Sequence, residues 1–242
     1  MLLASVDSNK SATIRTFVSK AFVQPFAGHF RAKYLQRKRK KLTNKTVSII
    51  SNDCVGGIIY HDMNLRFLSP TANLFFETDN DFLEYLSDIR YYSEQVPQPV
   101  KRDGKNYPIG EIKKNNSGII IHFLHYKSLE EAANKWIERG KRINYNNLFI
   151  IWHNGSVSGP DKESFERFQT IPQQKLLITG SNFNYNDENV VKLKLYGKNY
   201  FPGKILIRKS KYSAKRFLDE VDYVSWLNRC NDFGNSNNTG GK

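Results

Sequence analysis

An α/β fold, with a mainly parallel sheet flanked by helices on both faces, is what three observations predict for this 242-residue chain. Strand-like and helix-like segments alternate along most of its length, the pattern of a sheet with crossover helices. Several of the strand-like segments are short apolar runs, as expected of strands covered on both sides. The length suits one large domain or two small ones, and is enough to bury a core without disulfides or metals.

The elements follow in order. Residues 46–51 (TVSIIS) make a first buried strand, broken by a turn over 52–57 that contains Gly56 and Gly57. A helix is expected over 79–92, because Thr78 with Asp81 three residues on resembles a capping box and Phe82, Leu83, Leu86 and Ile89 form its apolar side. Residues 95–105 form a Pro-interrupted loop. Residues 118–126 (GIIIHFLHY) carry the strongest strand signal. Ser128 caps the next helix, with Glu131 at the capping-box position and Gly140 where the helix should stop. Residues 148–152 are another buried strand, and Pro160 fits the first turn of a helix reaching Phe168. Strand returns over 175–179, then as later, edge-type strands over 190–196 and 204–208. An amphipathic helix over 214–230 closes the domain, with Phe217, Leu218, Val221, Val224 and Leu227 as its buried stripe. The Gly/Asn-rich residues 231–242 are expected to be a disordered tail.

The charge is localised. Of the net +14, the first 45 residues hold +10, with eleven basic side chains against Asp7 alone. The rest of the chain carries 26 basic and 22 acidic residues, the balance of a solvated globular surface. Residues 1–45 are therefore set apart as a basic amphipathic arm and 46–230 as the α/β domain. Ile14, Phe17, Val18, Ala21 and Phe22 follow helical apolar spacing, and Arg37, Lys38, Arg39, Lys40 and Lys41 follow them. An aromatic stripe and a cation run suit an interfacial anchor on an anionic leaflet, where each cation adds roughly 1 kcal/mol. The same helix can equally pack on the domain with its lysines solvated. Nothing resembling an RNA-binding aromatic strand or a helix-turn-helix accompanies the charge, so nucleic acid is not the expected partner. Two cysteines, Cys54 and Cys230, are too few for a disulfide framework and fit a reducing cytoplasm. The opening residues make too short an apolar run for a signal peptide, and no stretch approaches a membrane span. The expected location is cytoplasmic, peripheral at the inner face of the plasma membrane.

Polar segments directly follow the buried strands, and in open α/β sheets ligands bind at that edge. At the first strand end, Asn52, Asp53 and Cys54 supply short side chains, and Gly56 with Gly57 lets backbone amides approach a phosphate. No GxGxxG or GxxxxGK[ST] is present. Cys54 is a candidate nucleophile with a histidine as base, or a small residue filling the sheet edge. His122 and His125 bracket the end of the second strand, with His125 at the tip better placed for acid–base work. No HExxH or paired-Cys spacing supports a metal, and none is assigned. Arg139 and Arg142, three residues apart on a helix, can share a face and clamp an anion, or complement the helix dipole.

Taken together, SIISNDCVGGIIYHDMNLRFLSPTANLFF, YPIGEI and IHFLHYKSLEEAANKWIERGKRINYNNLFII resemble a bacterial family assigned to exopolysaccharide and capsule biosynthesis clusters. The likeness covers residues 46–179. Its pattern is similar to Ser-Asn-Asn-Cys-Trp-Gly-Gly, a following Tyr, Ser-Pro-Thr, His-Phe-Leu-His-Tyr, Lys-Trp and two spaced arginines. This chain departs from it at Asp53 and Val55, which makes Asp53 a poor candidate for an essential base. The resemblance implies an α/β domain and a role in making surface polysaccharide, without supplying a reaction. The sites it marks include Asn52, Gly56, Gly57, Tyr60, Ser69, Tyr126, Arg139 and Arg142 for substrate or phosphate binding. The expected activity is a glycosyltransferase-like transfer from a nucleotide-activated sugar, or a related phosphate-containing donor, to a lipid-linked glycan. The alternative is a non-catalytic, membrane-associated assembly factor of a polysaccharide synthesis complex.

Overall fold

The computed structural model describes residues 25–195, 203–210 and 213–229. Among these, seven α-helices and two four-stranded sheets make an α/β fold. The first sheet is parallel: β1 (Ser48–Ser51), β6 (Leu148–His153), β7 (Gln174–Gly180) and β8 (Val190–Leu193) lie side by side in that order. Alternate side chains on these strands enter two different cores, as the two-residue period of a strand requires. Ile49, Phe149, Ile151, Leu176 and Ile178 face one core with α1 (Pro25–Lys41), α2 (Val55–Met63) and α7 (Tyr223–Arg229). Ile50, Ile150, Trp152 and Leu177 face the other, with α3 (Asp79–Ser87), α4 (Ile89–Glu94), α5 (Leu129–Gly140) and α6 (Lys162–Gln169).

The second sheet is antiparallel, in the order β2 (Phe75–Phe76), β5 (Ser117–His122), β4 (Ile109–Lys114), β3 (Gln98–Pro99). The segment with the strongest strand signal therefore joins this sheet and not the parallel one, and it ends at His122. The reason is local. Lys114 pairs with Ser117 across the two-residue turn Asn115-Asn116, and Asn115 takes the left-handed conformation (φ 51°) that such tight hairpins need. The sheets meet where β1 ends, since the Phe76 N–H donates to the Asn52 carbonyl at 3.0 Å.

Other expectations are corrected at their ends. The Asn52–Gly57 turn is shorter than expected, and helix α2 starts at Val55. It accommodates its glycine pair because a Cβ at Gly56 would lie 2.5 Å from Ser51 Oγ, so only glycine lets the helix approach β1 this closely. The 79–92 helix divides at Asp88, whose carboxylate accepts from the Tyr91 N–H at 3.0 Å and caps α4. Pro160 stands before the cap of α6, which is Asp161. Residues 204–208 form a short 3-10 turn (Lys204–Leu206), and the closing helix is a 3-10 turn (Phe217–Glu220) followed by α7.

Helix α1 presents two stripes. Arg31 and Leu35, with Leu42 just past the helix end, are buried, and Lys38 is nearly so. Lys33, Arg37, Lys40 and Lys41, spaced along the opposite side, are exposed together with Phe30. The buried stripe meets acids from elsewhere in the chain. Arg31 pairs with Asp62 of α2 and Asp219 of the C-terminal 3-10 turn, Lys38 reaches Asp219 at 3.3 Å, and Arg216 reaches Asp62 at 3.2 Å. Arg39 Nε donates to the Asp62 carbonyl at 2.7 Å. The helical part of the basic segment is thus joined to the domain through its core and does not stand off it. The apolar stripe expected around Phe17 and Phe22 lies outside the described residues, as do Cys230 and the 231–242 tail.

Candidate functional site

The carboxyl ends of β1 and β6 converge on the junction of the two sheets. Asn52 clamps them together: its carbonyl oxygen Oδ1 accepts from the His153 N–H at 2.8 Å, and its Nδ2 donates to the His153 carbonyl at 3.0 Å. Beside it, Asp53 Oδ2 lies 2.5 Å from His153 Nδ1 while Asp53 Oδ1 accepts from the Val55 N–H at 2.9 Å. Further along β6, Trp152 Nε1 and Asn154 Nδ2 donate to the two oxygens of Asp79 at 2.8 and 2.7 Å. Burial raises the Asp79 carboxyl above its ordinary value, against the pull of those two bonds.

Cys54 occupies the cap position immediately before α2, half-buried, with Sγ 3.6 Å from His125 Nε2 and 3.8 Å from the Leu74 carbonyl. His125 is exposed, in the turn after β5, so the contact joins an exposed ring to a half-buried sulfur. Burial first, and the charge of Asp53 second, push the Cys54 thiol up to about 12. The resting sulfur is therefore a thiol, which can donate to Nε2 in the tautomer that leaves this nitrogen as the acceptor. It becomes a nucleophile only when it hands its proton to that nitrogen.

The next layer is Tyr126 and Arg139. Arg139 Nη1 donates to the Tyr126 hydroxyl at 2.7 Å and to the Ala72 carbonyl at 3.2 Å, and the guanidinium lies over the Phe67 ring at 4.9 Å. Burial raises the Tyr126 phenol, Arg139 opposes it, and the charge of Cys54 is among the influences on it.

The remaining candidates separate from this cluster. His122 is buried, stacked on Phe75 with ring centroids 4.4 Å apart, and its Nδ1 lies 3.3 Å from the Tyr107 hydroxyl. Burial lowers its pKa, with Lys105 and Arg102 adding to the effect against Glu77, so its ring is neutral at pH 7. Tyr60 is fully buried, and its hydroxyl accepts from the Ile49 N–H at 2.6 Å; Ser69 Oγ donates to the Ile49 carbonyl at 2.6 Å. Both hold β1 from inside. Gly57 is buried under Asn73, where a Cβ would lie 2.6 Å from Asn73 Oδ1, so both glycines of the pair are closely packed by neighbours. Arg142 pairs with Glu138 one turn earlier on α5. Lys38 and Arg39 are engaged at Asp219 and Asp62, whereas Arg37, Lys40 and Lys41 face outward.

Sequence reasoning named the Cys54 and His125 positions but not the pairing of Asp53 with His153, nor Asp79 as the acceptor for Trp152 and Asn154. Their signal was position: each lies within two residues of a strand end or at the first turn of a helix.

Residues 27–228 match the family described as Domain of unknown function (DUF1919). The chain is 33% identical over 193 residues to a Haemophilus influenzae protein described as uncharacterized, a match covering 79% of this chain and 89% of that protein. A 90-residue stretch is 30% identical to a tRNA (guanine-N(7)-)-methyltransferase of Syntrophotalea carbinolica, covering 32% of this chain and 39% of that enzyme.

Proposed function

The chain belongs to the DUF1919 family; we propose that it is a group-transfer enzyme of surface-polysaccharide synthesis in which Cys54 is the nucleophile and His125 its base. The observation that carries the reading is the 3.6 Å approach of Cys54 Sγ to His125 Nε2 at the carboxyl edge of a parallel sheet. In the first half-reaction the thiol proton passes to Nε2, sulfur bonds to the electrophilic carbon of an activated donor, and the leaving group departs with its electron pair and takes the proton from Nε2, which leaves His125 neutral again. In the second, a glycan hydroxyl gives its proton to His125, its oxygen attacks the same carbon, and the C–S bond breaks with its electron pair returning to sulfur, which recovers the proton from His125. A thiol suits an acyl carbon better than an anomeric one, where carboxylates are the usual partners. Acyl transfer to a glycan is accordingly the form of the reaction favoured here.

Glycosyl transfer from a nucleotide-activated sugar is the second reading, favoured by the Asp53–His153 pair at 2.5 Å, which can act as a general base toward an acceptor hydroxyl. The two readings part at one substitution. In a polymer-producing bacterium that depends on this protein, Cys54→Ser is expected to abolish polymer while leaving the protein's level unchanged. Polymer made at the normal rate by Cys54→Ser would favour the Asp53–His153 base instead.

The acceptor is proposed to be a lipid-linked glycan, met at the inner leaflet of the plasma membrane. What supports this is the outer stripe of α1, where Lys33, Arg37, Lys40 and Lys41 are exposed and no acid lies on the helix. No helix among the described residues is long and apolar enough to cross a membrane. Replacing those four cations by glutamine leaves the buried stripe untouched. At about 1 kcal/mol per cation, it is expected to weaken binding to phosphatidylserine vesicles at low salt by at least roughly a hundredfold. Unchanged co-sedimentation of that variant would remove the membrane from the account.

A further inference from the structure

Arg139 differs from the other buried or half-buried arginines whose side chains make contacts. Arg31 and Arg216 answer Asp62, and Arg142 answers Glu138. Among the described residues no carboxylate lies within ion-pair distance of Arg139, although it is half-buried and its Nη1 is fixed by two neutral oxygens. Those contacts, with Phe67 beneath the guanidinium plane, hold the group in one orientation. They also tie it to the reacting pair: the Tyr126 hydroxyl that accepts from Arg139 belongs to the residue following His125. Ala72, the second acceptor, adjoins Asn73, which packs on the first turn of α2 directly after Cys54. A half-buried guanidinium held in one orientation without a counter-charge suits a ligand that supplies the anion.

We propose that Arg139, oriented by the Tyr126 hydroxyl and the Phe67 ring, is the anion-recognition element of the Cys54 site, so that the donor carries a negatively charged group next to its reacting carbon. The proposal rests on Cys54 being the reacting atom. It also separates the two arginines that helical spacing alone had grouped: Arg142 is taken by Glu138, and Arg139 is left for the ligand.

The test compares two alkylating reagents of similar size, anionic iodoacetate and neutral iodoacetamide, with modification assigned to Cys54 by peptide mass. The wild-type protein is expected to react with iodoacetate faster, relative to iodoacetamide, than the same thiol does in urea. Arg139→Gln should lower that ratio about tenfold, as expected for one charge acting over a few ångströms in a partly dry site. Arg139→Lys, which keeps the charge, should retain most of the ratio, and Arg142→Gln should retain all of it. A ratio unchanged in Arg139→Gln, with Cys54 still reactive toward iodoacetamide, would overturn the anion proposal and leave the Cys54 reading standing. Failure of the folded wild-type protein to react at Cys54 with either reagent would overturn both. Should Arg139→Gln fail to fold, Tyr126→Phe supplies the second variant: freeing Arg139 from its hydroxyl partner should change the ratio, and an unchanged value counts against the proposal.

Discussion

Asp62→Ala is expected to lower the stability of the protein by about 3–5 kcal/mol, the usual cost of removing one partner from a buried ion pair. Against a typical total of roughly 5–15 kcal/mol, that loss puts a measurable fraction of the chain in the unfolded state. The physical cause is specific. The Asp62 side chain is 2% exposed and lies between the guanidinium groups of Arg31 and Arg216, so its loss leaves two buried guanidinium groups near a single acid, Asp219, that Lys38 also pairs with. Urea unfolding checks it: the midpoint should fall with little change in slope. Glu138→Ala, which removes the partly exposed partner of Arg142, should cost less than about 1 kcal/mol. Equal effects of the two substitutions would mean that the network does not join α1 to the domain.

The same network makes the fold acid-sensitive. Burial alone would raise the Asp219 carboxyl, but Arg31, the Arg216 backbone N–H and Lys38 outweigh it and hold the group below the ordinary carboxylate range. A lowered folded value contributes stability that is present above the unfolded pKa and is lost as the pH falls through the folded one, here below roughly pH 4. Removing residues 1–41 would take Arg31, Leu35 and Lys38 away together, so such a truncation is a stability experiment before it is a membrane experiment.

The parallel strands were legible because their apolar runs are continuous and their register places alternate residues in two cores. Helix α2 was not. Its opening Gly56-Gly57 carries a turn signal, and only the approach of Ser51 and Asn73, one from the preceding strand and one from a later loop, explains why a helix uses them. The hairpin of β4 and β5 left its mark in Asn115-Asn116, but the apolar run beyond it fits either kind of sheet. At the site, the chain revealed which residue types stand at strand ends and not which of them touch. The Cys54–His125 contact spans 71 positions, a separation on which local spacing is silent. The packing neighbours of the glycine pair are equally invisible to local spacing.

The dependence of Cys54 on His125 is the claim on which the functional reading stands, and its effect is expected to be larger than any stability change above. With the thiol at about 12, unassisted ionisation supplies almost no nucleophile at neutral pH, so a positioned base should accelerate attack by roughly 10²-fold or more. His125 is exposed, so His125→Ala should change stability by no more than about 0.5 kcal/mol and leave the comparison fair. The measurement is the rate at pH 7 at which p-nitrophenyl acetate places one acetyl group on Cys54, followed by intact mass and located by peptide mass. The account predicts rapid acetylation of the wild-type protein, none at this position in Cys54→Ser, and a rate about a hundredfold lower in His125→Ala. Equal rates in wild type and His125→Ala would contradict it.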